Sequence, residues 1–167
     1  MGKIISQTEA SLISKETREK GKRVVFTNGC FDLLHRGHIE LLKQAKARGD
    51  ILMVGLNSDT SVKEIKEKGH PIVDEKSRAV ILSSIIYVDY VVIFYENTPY
   101  NLIKAIGPDV LVKGEDWKEE EIIGRDIAGE VVRIRFVPGY STTEIIKKIK
   151  RLSHKILNIK HQNSNKL

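Results

Sequence analysis

The chain has 167 residues, 41% of them hydrophobic and 30% charged, with a net charge of +6. That composition suits one soluble globular domain with a real core and excludes a disordered chain. A single cysteine, Cys30, excludes an intrachain disulfide and fits a cytoplasmic location. No run reaches the ~18–20 apolar residues of a membrane span, and the N-terminus lacks the apolar core of a secretory signal.

In chain order, Ser6 stands three residues before Glu9, a capping-box pattern that predicts a helix over about 6–20 with Gly21 as its stop. "RVVFTNG" is then a short buried strand. "HIELLKQAKARG" is an amphipathic helix ending at Gly49, and "DILMVGLN" a second strand whose near-continuous apolar run suits a parallel sheet covered on both faces. "SDTSVKEIKEKG" is a polar helix capped by Ser58 or Asp59, "DEKSRAVILSSI" another helix, and "VDYVVIF" a third strand. "TPYNLIKAIG" places Pro99 at the first helical position and stops at Gly107. "PDVLVKG" and "GEVVRIRFV" are the fourth and fifth strands, and "STTEIIKKIKRL" is a final helix capped by Ser141 or Thr142, followed by a frayed polar tail over about 158–167.

Alternation of strands and helices predicts an α/β fold: a doubly wound, mostly parallel, five-stranded Rossmann-like sheet with helices on both faces. It forms a single domain over residues 1–167, with its core at about 23–150. Ligands in such sheets bind beyond the carboxyl ends of the strands. The segments to read are therefore "TNGCFDLLHRGH", "GLNSD", "FYENTP", "VKGEDW" and "VPGYSTT".

The first of these carries Asn28, Gly29, Cys30, Phe31 and Asp32, then His35 and His38 at the mouth of a helix. Gly29 permits close approach of backbone to a ligand. The two imidazoles, at i and i+3, share a helix face, and the helix start offers unpaired N–H groups to an anion. Lys46, two turns on, has a stem long enough to be considered with them. Together they suit a polyphosphate. A structural cap or packing role for the histidines is the competing reading. A zinc site from Cys30, Asp32, His35 and His38 is conceivable by residue type but lacks the usual cysteine spacing. The G-x-G-x-x-G of a dinucleotide site is absent after the first strand, which argues against a nicotinamide dehydrogenase.

"GCFDLLHRGH" resembles the H-x-G-H motif of the nucleotidyltransferases related to class I aminoacyl-tRNA synthetases, and "GYSTTEII" resembles the S-T pair of its small members. More narrowly, "FTNGCFD", "GLNSD", "VDYVVIF" with "NTP", "PDVLVKGEDW" and "GYSTT" resemble the D-glycero-β-D-manno-heptose 1-phosphate adenylyltransferase family, over about 23–150. The resemblance implies attack of a sugar 1-phosphate on the α-phosphorus of ATP, with His35, His38 and Lys46 as the catalytic group. It implies nucleotide contacts from Asn28, Gly29, Cys30, Phe31, Lys113, Gly114, Asp116, Ser141, Thr142 and Thr143. Mg²⁺ would be held mostly by ATP phosphates and water. Arg78 matches a family arginine expected near the substrate or phosphate; a solvent-facing helix arginine is the competing reading. Asn57 and Asp59 face the acceptor or cap the next helix. Asp32 orients a ligand or a histidine, or makes an Asx-type turn.

The chain departs from the family at Glu115, where a second glycine is usual, and after the S-T pair, where related transferases often include an arginine but here Glu144 follows Thr143 and the nearest bases are Lys147 and Lys148. The resemblance also implies a homodimer and a heptose kinase in the same pathway. That kinase is expected as a separate protein, because only 22 residues precede the first strand. The alternative substrate reading is a cytidylyltransferase acting on glycerol 3-phosphate, since "GEDW" resembles that family too. The reading from another class is a non-catalytic nucleotide or nucleic-acid binder, supported only by the basic last third.

Overall fold

The computed structural model describes residues 1–135 and 139–164, with side chains except at 119 and 157–164. In chain order the elements are β1 (Lys3–Ile4), α1 (Gln7–Glu19), β2 (Val24–Gly29), α2 (Arg36–Lys46), β3 (Ile51–Asn57), α3 (Asp59–Ile65) and α4 (Glu75–Ser83). There follow β4 (Tyr90–Phe94), α5 (Tyr100–Ile106), β5 (Val110–Gly114), a 3₁₀ turn at Glu119–Glu121, β6 (Glu130–Ile134) and α6 (Thr142–Ser164). The α/β reading holds, with one correction. The sheet has six strands, in the order β1-β4-β3-β2-β5-β6, and every pairing is parallel.

The sixth strand is the two-residue β1, which runs along the β4 edge through Lys3 N–H to Asp89 O and Ile5 N–H to Val91 O. Gly2 is needed just before it: a Cβ there would lie 2.5 Å from Val88 O. Two residues carry no periodicity, which is why sequence pattern alone passes over them.

β2 is central, with Thr27 paired to Val54 on one side and Val112 on the other. Its side chains alternate between the faces. Val25 joins Leu42, Leu52, Val54, Ala79 and Val110 in the core under α2 and α4, and Val24 and Phe26 join Met53, Val92, Leu102 and Ile106 under α1 and α5. The capping box of α1 is present, with Ser6 and Glu9 each bonded to the other's backbone N–H. α1 in turn closes the end of α5, through Ser14 Oγ to Ile106 O at 2.7 Å and Arg18 Nη1 to Gly107 O at 2.6 Å.

The chain goes from β2 to β3 and β4 on one side, then crosses back to β5 and β6 on the other. This reversal opens a crevice at the carboxyl end of β2. α6 continues to Ser164 because no glycine or proline interrupts it; residues 165–167 and the last two residues of the expected fifth strand, Phe136 and Val137, lie outside the described residues. Among the described residues no helix is long and apolar enough to cross a membrane.

Candidate active site

The crevice is a cleft of about 470 Å³ lined from five of the post-strand segments, including Asn28, Cys30, His38, Asn57, Lys113 and Thr143. Its centre is the turn from β2 into α2. Phe31 adopts φ +44°, a left-handed conformation uncommon outside glycine, and it is kept there with its ring buried at 5% exposure. That turn carries the chain into α2 with His35 at the N-cap and no side chain capping the helix. His38 N–H turns back to His35 O at 3.0 Å, and among the described residues no side chain takes the N–H groups of Arg36 and Gly37, which can face a ligand.

His35 and His38 stack with ring centroids 3.8 Å apart and 24° between planes, and the Phe31 ring lies 5.2 Å from His38. The stack explains the glycine of the motif: a Cβ on Gly37 would lie 3.0 Å from two atoms of the His35 ring. The shared face expected from the i, i+3 spacing is thus realised as direct ring contact. Nδ1 of each ring is buried and has no hydrogen-bond partner among the described residues. Burial lowers the pKa of both; for His38, burial and then the neighbouring His35 bring it down to about 4. At neutral pH the pair is uncharged, and each ring is a donor through one N–H and an acceptor through the other nitrogen.

On the β5–β6 side, Lys113 lies at the end of β5 with only 7% of its surface exposed. Its Nζ donates to Asn28 Oδ1 and sits 5.4 Å from the Trp117 ring centroid. Burial lowers its pKa to about 8, against the opposing pull of Asp116. Gly114 is the last residue of β5, and its carbonyl accepts from Trp117 N–H in the turn that carries the exposed Asp116. The start of α6 completes this wall. Ser141 Oγ accepts from Glu144 N–H at 3.1 Å, the expected cap, while Thr142 Oγ1 donates to Leu33 O at 3.3 Å and ties α6 to the turn after β2. Thr142 and Thr143 line the cleft.

On the β3 side, Asn57 lines the cleft and its Nδ2 donates to Ser61 Oγ at 2.9 Å. Arg78 and Asp59 lie elsewhere than expected. Arg78 is 1% exposed. Nε donates to Val73 O, Nη1 to Cys30 O and Asn57 O, and Nη2 to Asp59 Oδ1 at 2.6 Å. With four of its five N–H donors spent on protein and the side chain buried, Arg78 braces the cleft from behind. Lys46 is also corrected. The helix carries it away from His38 to the opposite end of the strands, where Nζ meets Asp50 O just before β3 and Asp89 Oδ2 just before β4, each at 2.6 Å. Two turns of helix rise about 11 Å, more than its stem can double back.

His70, Lys66, Asn97 and Trp117 also line the cleft, and the sequence reading passed over each as a site residue. Asp32 leads to the first of them: its Oδ2 lies 2.9 Å from His70 Nδ1, and its Oδ1 accepts from the N–H groups of Ile72 and Val73. Of the three roles open to Asp32, the structure realises the orienting of a histidine. "GHP" in a polar loop carries no signal for this; only the tertiary approach of the 66–74 segment to β2 reveals it.

Residues 26–148 match the model of the cytidylyltransferase-like family. The chain is 55% identical over 142 residues to bifunctional protein HldE of a Nitratiruptor species, covering 85% of this chain and 31% of that protein. It is 52% identical over 153 residues to bifunctional protein HldE of Helicobacter pylori (strain J99), covering 89% and 33%. The chain thus spans about a third of the length of the curated relatives it matches. The crystal structure of the lipopolysaccharide core biosynthesis protein from Thermoplasma volcanium GSS1 superposes with a TM-score of 0.59 at 31% identity, over 72% of this chain and 100% of that one. Pantoate-beta-alanine ligase from Francisella tularensis shares the fold at 17% identity and a TM-score of 0.58, over 81% of this chain and 67% of that one. The family match runs from the strand that leads into the stacked imidazoles to the helix that faces them, and on it the chain belongs to the cytidylyltransferase-like family and is a nucleotidyltransferase.

Proposed function

We propose that this domain transfers AMP from ATP to D-glycero-β-D-manno-heptose 1-phosphate, giving ADP-heptose and pyrophosphate, a precursor step for the lipopolysaccharide core. The observation that carries the reading is the pair of stacked imidazoles whose Nδ1 atoms have no partner among the described residues, at the start of a helix. The similarity to HldE proteins and to a lipopolysaccharide core biosynthesis protein supports the pathway.

A phosphate oxygen of the acceptor attacks the α-phosphorus in line, and the bond from the α-phosphorus to the α–β bridging oxygen breaks. Pyrophosphate leaves with that electron pair. The attacking oxygen is already anionic, so no strong base is needed, and catalysis is positioning and charge stabilisation. His38 and His35 donate hydrogen bonds to phosphoryl oxygens, and the charge that gathers there favours their protonated forms. Lys113 contributes a cation from the facing wall, and the first turns of α2 and α6 contribute N–H groups with Thr142 and Thr143 hydroxyls. Asn28, Gly29, Cys30 and Phe31 form the floor under the nucleotide. Gly114 and Asp116 shape the turn beside it.

Mg²⁺ would offset charge on the departing pyrophosphate. Among the described residues no group of three or more His, Cys, Asp or Glu gathers into a metal cage. In this reading the ion is held through ATP phosphates and water, and no step is routed through it. In this reading a sugar kinase supplies the 1-phosphate.

The test is pyrophosphate release with each nucleoside triphosphate against a panel of sugar and polyol phosphates. Release is expected with ATP and the heptose 1-phosphate, falling about a hundredfold or more in His38→Ala, as for loss of a charge-stabilising donor. Release only with CTP and glycerol 3-phosphate would overturn the substrate assignment. Release with no pair would overturn the transfer itself.

A further inference from the structure

The wall of the cleft on the β3 side presents one side chain whose arrangement packing does not explain. The segment 66–74 joins α3 to α4 and folds back over the end of β2, and Asp32, 7% exposed, anchors it with both oxygens. Oδ1 accepts from Ile72 N–H at 2.8 Å and Val73 N–H at 3.0 Å, which alone would hold the loop in place. Oδ2 is spent on His70 Nδ1 at 2.9 Å.

Burial by itself would raise the Asp32 pKa, but the Val73 N–H, the His70 ring and the Ile72 N–H outweigh it and hold the carboxyl below its usual range. Asp32 is therefore an anion at neutral pH, and an anion on Nδ1 fixes the ring tautomer with its proton there. In the neutral ring the remaining nitrogen, Nε2, then carries the lone pair. The His70 side chain keeps 25% of its surface open and lines the cleft beside Lys66 and Cys30. A histidine whose only task was to close the loop would have no need of a face in the cleft.

We propose that His70 selects the acceptor. Its Nε2 accepts a hydrogen bond from a hydroxyl of a polyhydroxylated sugar monophosphate whose phosphate end reaches the imidazole pair. Asp32 is the positioning residue that sets the tautomer and aims the ring. Lys66, on the same rim, draws the anionic substrate in. Topology supports this division of the cleft. His70 follows β3, on one side of β2, while Lys113 and Thr143 follow β5 and β6 on the other. Nucleotide and acceptor therefore approach the turn after β2 from opposite sides. The proposal rests on the nucleotidyl-transfer reading above and goes further by naming the residue that discriminates among acceptors.

The experiment is steady-state pyrophosphate release by the full chain, with acceptor and nucleotide varied separately, for wild type, His70→Ala, His70→Gln, Asp32→Asn and the Asp32→Asn/His70→Ala double variant. Each is also melted thermally. In His70→Ala the acceptor KM is expected to rise about tenfold, the size of one lost hydrogen bond, with the nucleotide KM unchanged. The preference for the heptose phosphate over glycerol 3-phosphate should shrink by a similar factor. His70→Gln, whose amide oxygen can accept in place of Nε2, should recover most of the loss. The double variant should have an acceptor KM no worse than that of His70→Ala, because Asp32 acts on the acceptor through the ring.

Two results would show His70 to be only a loop brace: a lower melting temperature with an unchanged acceptor KM, or equal changes in both KM values. Either would overturn this assignment while leaving nucleotidyl transfer standing. A wild type that releases no pyrophosphate with any pair would instead overturn the transfer reading, and the acceptor assignment with it.

Discussion

Replacing His38 by glutamine should make the protein more resistant to mild acid. The His38 imidazole is held at about 4 rather than its ordinary 6.5 by burial and by His35. Between those values the unfolded chain binds a proton at this site and the folded chain does not. Stability therefore rises with pH across the window and falls on acidification. At pH 5 the unfolded imidazole is almost fully protonated and the folded one only about a tenth, which costs the folded state about 2 kcal/mol relative to pH 8. Partial solvent access at the mouth of the cleft reduces this to between about 1 and 2 kcal/mol. Urea unfolding of wild type and His38→Gln at pH 8 and pH 5 measures it. The wild type should lose about 1–2 kcal/mol more than the variant, through a change in midpoint at constant slope. A triphosphate should counteract the loss, since its charge favours the imidazolium. Parallel losses in the two proteins would refute the claim that His38 is buried uncharged.

Lys113 should make nucleotide binding sensitive to alkali: with its pKa lowered to about 8 by burial, its charge fades above that pH. The nucleotide KM of the wild type should rise through pH 8–9, while that of Lys113→Met should be high throughout and flat with pH. Arg78→Met should destabilise the fold by about 3–5 kcal/mol, the cost of stranding the buried groups around a lost charge, as read by urea unfolding at pH 7.5. Lys46→Met should cost under about 1 kcal/mol, as for a partly exposed pair, and leave turnover within about twofold, because its ammonium is engaged with Asp89 at the amino end of β4, away from the cleft. A large fall in turnover would return Lys46 to the site.

Strand and helix order was legible in the sequence because β2, β3 and β5 are apolar runs closed by glycine or asparagine, and because Ser6, Ser58 and Asp74 occupy true N-caps. The histidine pair was legible because i, i+3 spacing at a helix start determines which groups share a face. Arg78 and Lys46 were misread for one reason. Sequence position shows which element a charge sits on and not which partner reaches it first. Arg78 meets three carbonyls and Asp59 before it can meet a ligand, and Lys46 meets Asp89. His70 escaped notice for the converse reason: its partner, Asp32, is 38 residues away in the chain.

The brace formed by Arg78 has a consequence for how this fold can change. Three of its four contacts are main-chain carbonyls, those of Val73, Cys30 and Asn57. Every amino acid supplies that acceptor, so the three loops stay joined whichever side chains they carry. The scaffold can thus exchange the residues facing its ligands one at a time without loosening its frame. The same brace that excludes Arg78 from the chemistry leaves its neighbours at liberty to vary it.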